Sequence, residues 1–269
     1  MCWFLNRFRL ANVLHLFYFF GMSTSFDPVA LRLVRVTEKA PLDLTFEGLR
    51  TSLAPAPLIE IMPAAYGDHV SALGFALAWA LMASEGGLLF WAAPEQDFFE
   101  DGLPNAEGLA QFGIPLDRLL LVRAQSQKEA LWATEQALST PGILALCAIT
   151  PSKKGLGLTE TRRLLLMAEH YRTRCLLLRL DAAGPSAARA RWQVRSAPSD
   201  GEEDELGPPS FSVHLARNRA GPHNLTFNLR WSIHDHAFHL MEERHAITLD
   251  GNLAAETAVR PADPDRQSA

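Results

Sequence analysis

Leu58-Ile59-Glu60-Ile61-Met62, then Pro63-Ala64-Ala65-Tyr66-Gly67, then Asp68 to Ser84: the segment reads as a short apolar strand, a turn and a long helix. In the helix Val70, Leu73, Leu77 and Leu81 recur at helical spacing, while Phe75, Trp79 and Met82 cover a second face. A helix that is apolar on most sides is a buried one. The same alternation continues downstream. Gly87 to Ala92 has no polar side chain and reads as a strand covered on both faces. Ala106 to Phe112 reads as a short helix closed by Gly113, and Leu119 to Val122 as a third strand. Ser126-Gln127-Lys128-Glu129 is a capping box, which opens a helix running to about Ser139, ahead of Pro141. Ile143 to Ile149 and Cys175 to Leu180 are two more buried strands. Between them a helix begins at Leu158-Thr159-Glu160, with Thr159 as the expected N-cap and Leu164, Met167, Ala168 and Tyr171 as its inward face.

Repeated strand–helix units with continuously apolar strands imply an α/β fold, a mostly parallel sheet with helices on both faces. After residue 185 the pattern changes. Ala190 to Ala197, Phe211 to Arg219 and Leu225 to Ser232 alternate apolar and polar residues, as antiparallel strands with one wet face do, and His236 to Met241 adds a short last strand. The expected organisation is an N-terminal segment 1–47, a domain over 48–245 and a flexible tail over 246–269. Within the N-terminal segment, seven aromatic residues fall in the first 20 positions, Trp3, Phe4, Phe8, Phe17, Tyr18, Phe19 and Phe20. The apolar run there is interrupted by His15 and lacks a small-x-small cleavage site. It is also too short to span a bilayer. Residues 1–21 are therefore expected to be a mis-assigned start ahead of Met22, the alternative being an amphipathic segment that contacts a membrane.

Of the 269 residues 48% are apolar and 20% charged, which excludes disorder as the main state. A net charge of −5 argues against a globally basic nucleic-acid binder. Cys2, Cys147 and Cys175 are too few and too scattered for a disulfide framework or a zinc site. Cys147 and Cys175 lie in apolar runs and read as core residues of a cytoplasmic protein. The triplet His234-Asp235-His236 with His239 reads as a turn between antiparallel strands, not as a metal site.

In this topology a ligand belongs at the carboxyl ends of the parallel strands, beside the first strand-to-helix turn. A phosphate-binding loop there needs GxxxxGK[ST], with amides to cradle phosphate, Lys to neutralise it and Ser or Thr to hold magnesium. Only Gly67 matches. Met62 stands at the first glycine, Asp68 at the Lys position and His69 at the Ser/Thr position. Two unit charges ~4 Å apart interact by about 4 kcal/mol at an effective dielectric near 20, so exchanging attraction for repulsion penalises a triphosphate by several kcal/mol. The fourth strand and its exit, Leu144 to Thr150, hold no Asp or Glu for magnesium. No cofactor and no catalytic residue are expected.

The chain resembles the ImuA family, bacterial proteins of damage-induced mutagenesis that are similar to RecA-type recombinases and SulA-like division inhibitors. The resemblance is carried by Gly113-Ile-Pro-Leu-Asp-Arg-Leu-Leu-Leu-Val-Arg123, Glu129-Ala-Leu-Trp-Ala-Thr-Glu135, Leu158-Thr-Glu-Thr-Arg-Arg-Leu164 and, most specifically, Pro185 to Ser199. It covers about residues 45–240. It implies a RecA-like domain with a degenerate nucleotide site, in which Glu95 falls where recombinases keep a catalytic Glu after the second strand. It also implies an accessory role beside an ImuB-like polymerase homologue and an error-prone DNA polymerase, with RecA as a further partner. The alternative is a SulA-like division inhibitor that binds a filament-forming protein.

Between Lys153 and Arg195 ten basic residues are opposed only by Glu160, Glu169 and Asp181. Arg189, Arg191, Gln193 and Arg195 share period two, so they are expected on one strand face as a surface for a partner or DNA, with Trp192 and Val194 turned to the core. Five carboxylates between Asp200 and Glu205 follow directly and could cover that face.

Overall fold

The structure, a computed structural model, describes residues 45–84, 86–149, 156–180, 184–199 and 207–241. Two compact units divide the chain, 1–42 and 43–269. The described residues belong to the second. The expected mis-assigned start, the acidic loop and the C-terminal tail lie outside the described residues.

The elements in chain order are α1 (Phe46–Leu53), β1 (Leu58–Pro63), a 3-10 turn (Tyr66–Asp68), α2 (His69–Ala83), β2 (Leu88–Pro94), α3 (Glu95–Asp101), α4 (Ala106–Phe112), β3 (Leu119–Ala124), α5 (Gln127–Leu138), β4 (Ile143–Ile149), α6 (Leu158–Tyr171), β5 (Arg174–Arg179), β6 (Ala190–Ser196), β7 (Ser210–Asn218), β8 (Leu225–Ser232) and β9 (Ala237–Leu240). The strands form one sheet in the order β3-β2-β4-β5-β1-β6-β7-β8-β9. The expected α/β class is present: six strands run parallel and three antiparallel strands extend the sheet. One correction concerns β6. It pairs parallel with β1, from Ile59 opposite Ala190 to Pro63 opposite Val194, and only its other edge is antiparallel, to β7. Alternating polarity reports a half-exposed face, not a direction.

Two cores flank the sheet. On one face α1 and α2 pack over Ile59, Ile61, Trp91, Leu146, Leu178 and Trp192. Phe75 and Trp79 of α2 reach Trp192 with ring centroids 6.0 and 5.9 Å apart, and Phe46 of α1 joins them at 6.0 Å. Trp79 and Trp192 are buried and α2 is interior over most of its length, although Val70 in its first turn is exposed. On the other face α5 and α6 cover Phe90, Cys147, Ile149, Cys175 and Leu177. Burial pushes the Cys147 thiol up to about 12 and Cys175 well above the usual thiol range. Both are inert core groups.

The caps explain where helices begin. Ser126 accepts the Glu129 amide at 3.3 Å, while the Glu129 carboxylate accepts the Gln125 amide at 2.7 Å. At α6 the N-cap is Gly157 rather than Thr159: Glu160 takes the Gly157 amide at 3.1 Å, and the buried Thr161 hydroxyl donates to the Gly157 carbonyl at 3.1 Å. Tyr171, expected to face inward, is exposed, since α6 ends there in a left-handed Arg172. Gly113 closes α4 at φ 103°. A Cβ there would stand 2.7 Å from the His236 ring, so this glycine is required both by conformation and by space. His236 stacks in turn on Trp231, whose indole N–H donates to the Phe112 carbonyl at 3.2 Å.

Candidate functional site

The turn after β1 enters α2 as expected, but its chemistry is directed inward. Asp68 is 6% exposed. Its carboxylate accepts the Ala65 amide at 3.1 Å, the Ser196 amide at 3.0 Å and the Ser196 hydroxyl at 3.0 Å. The Ser196 amide bond, the Ser196 hydroxyl, the Ala65 amide and the nearby Arg195 charge hold this carboxyl below the usual Asp range, against the opposing effect of burial. Asp68 therefore ties the loop after β1 to the last residue of β6. A negative charge fixed at the start of α2 occupies the region where a phosphate-binding loop presents its amides and its Lys. His69 Nδ1 lies 3.1 Å from the Tyr66 carbonyl, and Tyr66 is 92% exposed.

Gly67, the one position that matches the loop pattern, does not make the turn by backbone freedom. Its backbone lies outside the left-handed region, and a Cβ added there meets nothing within 4 Å. The turn is made by the 3-10 geometry and by Asp68, not by freedom that only glycine has. Beyond the turn lies a hollow of about 330 Å³, where β2, β4 and β5 end. Val70, Leu73 and Leu77 of α2, with Trp91, Phe98 and Leu178, line it and make it mostly apolar. Such a lining offers no cradle for a triphosphate. Glu95, at the exit of β2, lies 3.7 Å from Arg123 at the end of β3, both side chains being partly exposed. Among the described residues no group of three or more His, Cys, Asp or Glu could hold a metal ion, and no helix is long and apolar enough to cross a membrane.

The arginine strand is divided by the structure. Trp192 and Val194 are buried on the core side, as the alternation implies. Arg189 pairs with Glu169 of α6 at 2.5 Å. Arg191 is 13% exposed and donates from Nε to Glu60 at 2.8 Å and from Nη2 to the Gly184 carbonyl at 2.9 Å. Arg195 is exposed.

Glu60, in the middle of β1, is the residue that sequence reasoning missed. It is fully buried and lies 3.2 Å from Arg179, 2.8 Å from Arg191 and 3.8 Å from Arg217, which come from β5, β6 and β7. Carbonyls anchor the guanidiniums further: Arg179 donates to Leu156 at 3.0 Å, Arg217 to Ala188 at 3.3 Å and the neighbouring Arg219 to Ser186 at 2.9 Å. Burial, with Arg191 beside it, holds Arg217 below the usual arginine range, and its Nε is buried without a partner. The available signal was a carboxylate inside an otherwise apolar strand, because buried charge persists only when paired.

No protein-family profile matches the chain. It is 35% identical over 150 residues to Protein ImuA from two strains of Caulobacter vibrioides, a match covering 51% of this chain and 58% of the relative. The chain resembles ImuA. It thus spans less than two thirds of the length of the curated ImuA relatives it matches. Among solved structures it is similar to the RadB recombinase, at TM-score 0.45 and 15% identity over 66% of this chain and 88% of that one. It is also similar to SulA from Pseudomonas aeruginosa, at TM-score 0.34 and 21% identity over 46% of this chain and 97% of that one.

Proposed function

We infer that this chain is a non-enzymatic accessory protein of damage-induced mutagenesis, working through contacts with other proteins. The observation that carries the reading is Asp68, which turns the phosphate-loop position into an internal tie. The similarity to ImuA supports the cellular role. It also supports contact with an ImuB-like polymerase homologue, with an error-prone DNA polymerase and with RecA during translesion synthesis. A fold that has lost its phosphate chemistry and kept its sheet is suited to present surfaces to partners rather than to turn over a substrate.

Deleting the gene tests the role. Damage-induced mutation frequency is expected to fall towards the uninduced level, and inducing the gene is expected to leave cell length unchanged. Filamentation on induction with mutagenesis intact would assign the chain to division control instead. Isothermal calorimetry tests the chemistry: ATP with magnesium is expected to give no saturable heat with the purified chain, and Asp68→Arg is expected to restore none, since the loop lacks the other groups. Saturable ATP binding that Asp68→Arg abolishes would overturn the argument from Asp68.

A further inference from the structure

Strands β6 to β9 bury one face, and among the described residues no helix packs over the other. Trp192, Val194, Phe211, Val213, Leu215, Leu229 and Trp231 fill the buried side. On the other side the register sets Gln193 beside His214 and Thr226, Arg195 beside Ser212 and Asn228, and Arg230 beside His239. The four strands contain no Asp or Glu. Among the described residues the carboxylates near this face are already engaged. Glu60 lies beneath Arg191 and Arg217, Asp68 is turned to Ser196, and Asp235 in the β8–β9 turn lies 3.2 Å from His239 and accepts from Ser232. Arg195 and Arg230 make no ion pair among the described residues.

We propose that this open face docks an acidic segment of a protein partner, with Arg195 and Arg230 as its principal contacts. Charge complementarity carries the choice. Arginine forks take a carboxylate two oxygens at a time, and Gln193, Asn228, Ser212 and Thr226 add neutral donors between them. A nucleic-acid strand fits less well. Every Phe and Trp of these strands lies on the buried side of the alternation, so this face offers bases no Phe, Tyr or Trp platform and only the smaller imidazoles of His214 and His239. In the sequence, Asp200, Glu202, Glu203, Asp204 and Glu205 follow the end of β6, and the chain carries −5 overall. That local and net negative charge opposes a long polyanion more than a short acidic segment. The proposal rests on the reading of the chain as a protein-contact factor.

The test uses the full chain, an Arg195→Glu/Arg230→Glu double variant and an Arg195→Gln/Arg230→Gln double variant, each checked by circular dichroism and thermal melting. The probes are a labelled peptide of about a dozen residues alternating Glu and Ser, its Gln counterpart, and a labelled oligonucleotide, single-stranded and duplex, read by fluorescence anisotropy. The Glu peptide is expected to bind the unaltered chain, and the Gln peptide to bind at least roughly tenfold more weakly. The charge reversal is expected to weaken the Glu peptide by roughly tenfold or more, and the Gln variant by less, with melting unchanged. If the reversal unfolds the chain, the Gln variant carries the test. Equal peptide binding by all three proteins, or no binding, overturns the proposal. Oligonucleotide binding that is tighter than peptide binding, falls log-linearly with salt and is lost in the variants gives the face to nucleic acid and also overturns it. Loss of mutagenesis on gene deletion without peptide binding removes only this surface. Peptide binding with mutagenesis intact on deletion removes only the accessory role.

Discussion

Two carboxylates eight positions apart fasten β1 and its following turn to the same neighbour by different means. Glu60 acts in the interior, through charge, on arginines from three strands. Asp68 acts at the strand end, through hydrogen bonds from backbone and hydroxyl groups, on Ala65 and Ser196. The first would leave several desolvated cations behind if it were removed, the second two amides at a partly solvated rim. The contrast separates an acid that neutralises buried charge from one that satisfies backbone groups at a strand end. At the centre of the sheet the acid is the shared counter-charge of three arginines, whereas at the turn it holds the loop after β1 to the end of β6.

The comparison breaks most readily at Glu60. Glu60→Ala leaves Arg179, Arg191 and Arg217 without their common counter-charge, and is expected to cost about 3–5 kcal/mol in urea unfolding, enough to prevent folding in a marginal domain. A loss below about 1 kcal/mol would mean that the guanidiniums are satisfied by carbonyls alone. Asp68→Ala strips the acceptor from the Ala65 and Ser196 amides and is expected to cost about 1–3 kcal/mol. Asp68 also carries a pH signature. Its folded carboxyl titrates below the ordinary Asp range, so as acid is added the unfolded chain takes up this proton first. The stabilisation is whole at neutral pH, begins to fade near pH 4 and is gone once the folded carboxyl is protonated. Asp68→Asn should flatten that part of the acid limb in a stability-against-pH series. An unchanged limb would show that the amides do not depend on the charge. The smallest effect is expected at Gly67, where Gly67→Ala meets open space at an ordinary φ and should stabilise by about 0.4–1 kcal/mol. Destabilisation there would mean that the turn does need glycine.

Much of this frame was legible in the residues. Ile143–Ile149 coincides with its apolar run and Leu225–Ser232 with its alternating one, and the Ser126 to Glu129 cap sets α5. α1 was not anticipated, although Phe46, Leu49 and Leu53 repeat at helical spacing behind the Thr45 cap, because eight residues are a weak periodic signal. α3 was missed for a different reason: Glu95, Gln96, Asp97 and Phe98 show no stripe, and the helix is positioned by Phe98 against Trp91, 6.3 Å between rings. Thr159 drew the cap because hydroxyls favour that role, yet the reach of Glu160 back to Gly157 fixed it two residues earlier. In the arginine strand, period two separated the buried tryptophan side from the charged side. It could not show that Arg191 is claimed by Glu60, since that contact spans 131 positions and depends on strand order. That the first strand-to-helix turn departs from GxxxxGK[ST] was visible in the residues alone, but the inward use of Asp68 required Ser196, which the pairing of β1 with β6 brings near.

That pairing also bears on how the chain comes into being on the ribosome. β1 is made early yet sits between β5 and β6, and Glu60 waits 131 residues for Arg191. At about 5–20 residues per second, roughly 7 to 26 s pass before β6 is available. During that interval β1 and the largely apolar α2 lack the strands that shield them, and sheets built from such distant partners fold slowly. The nascent chain should therefore be a client of holding chaperones until β6 emerges. Ribosome-bound chains truncated before residue 190 should be captured by them, and chains extended past β8 should be released.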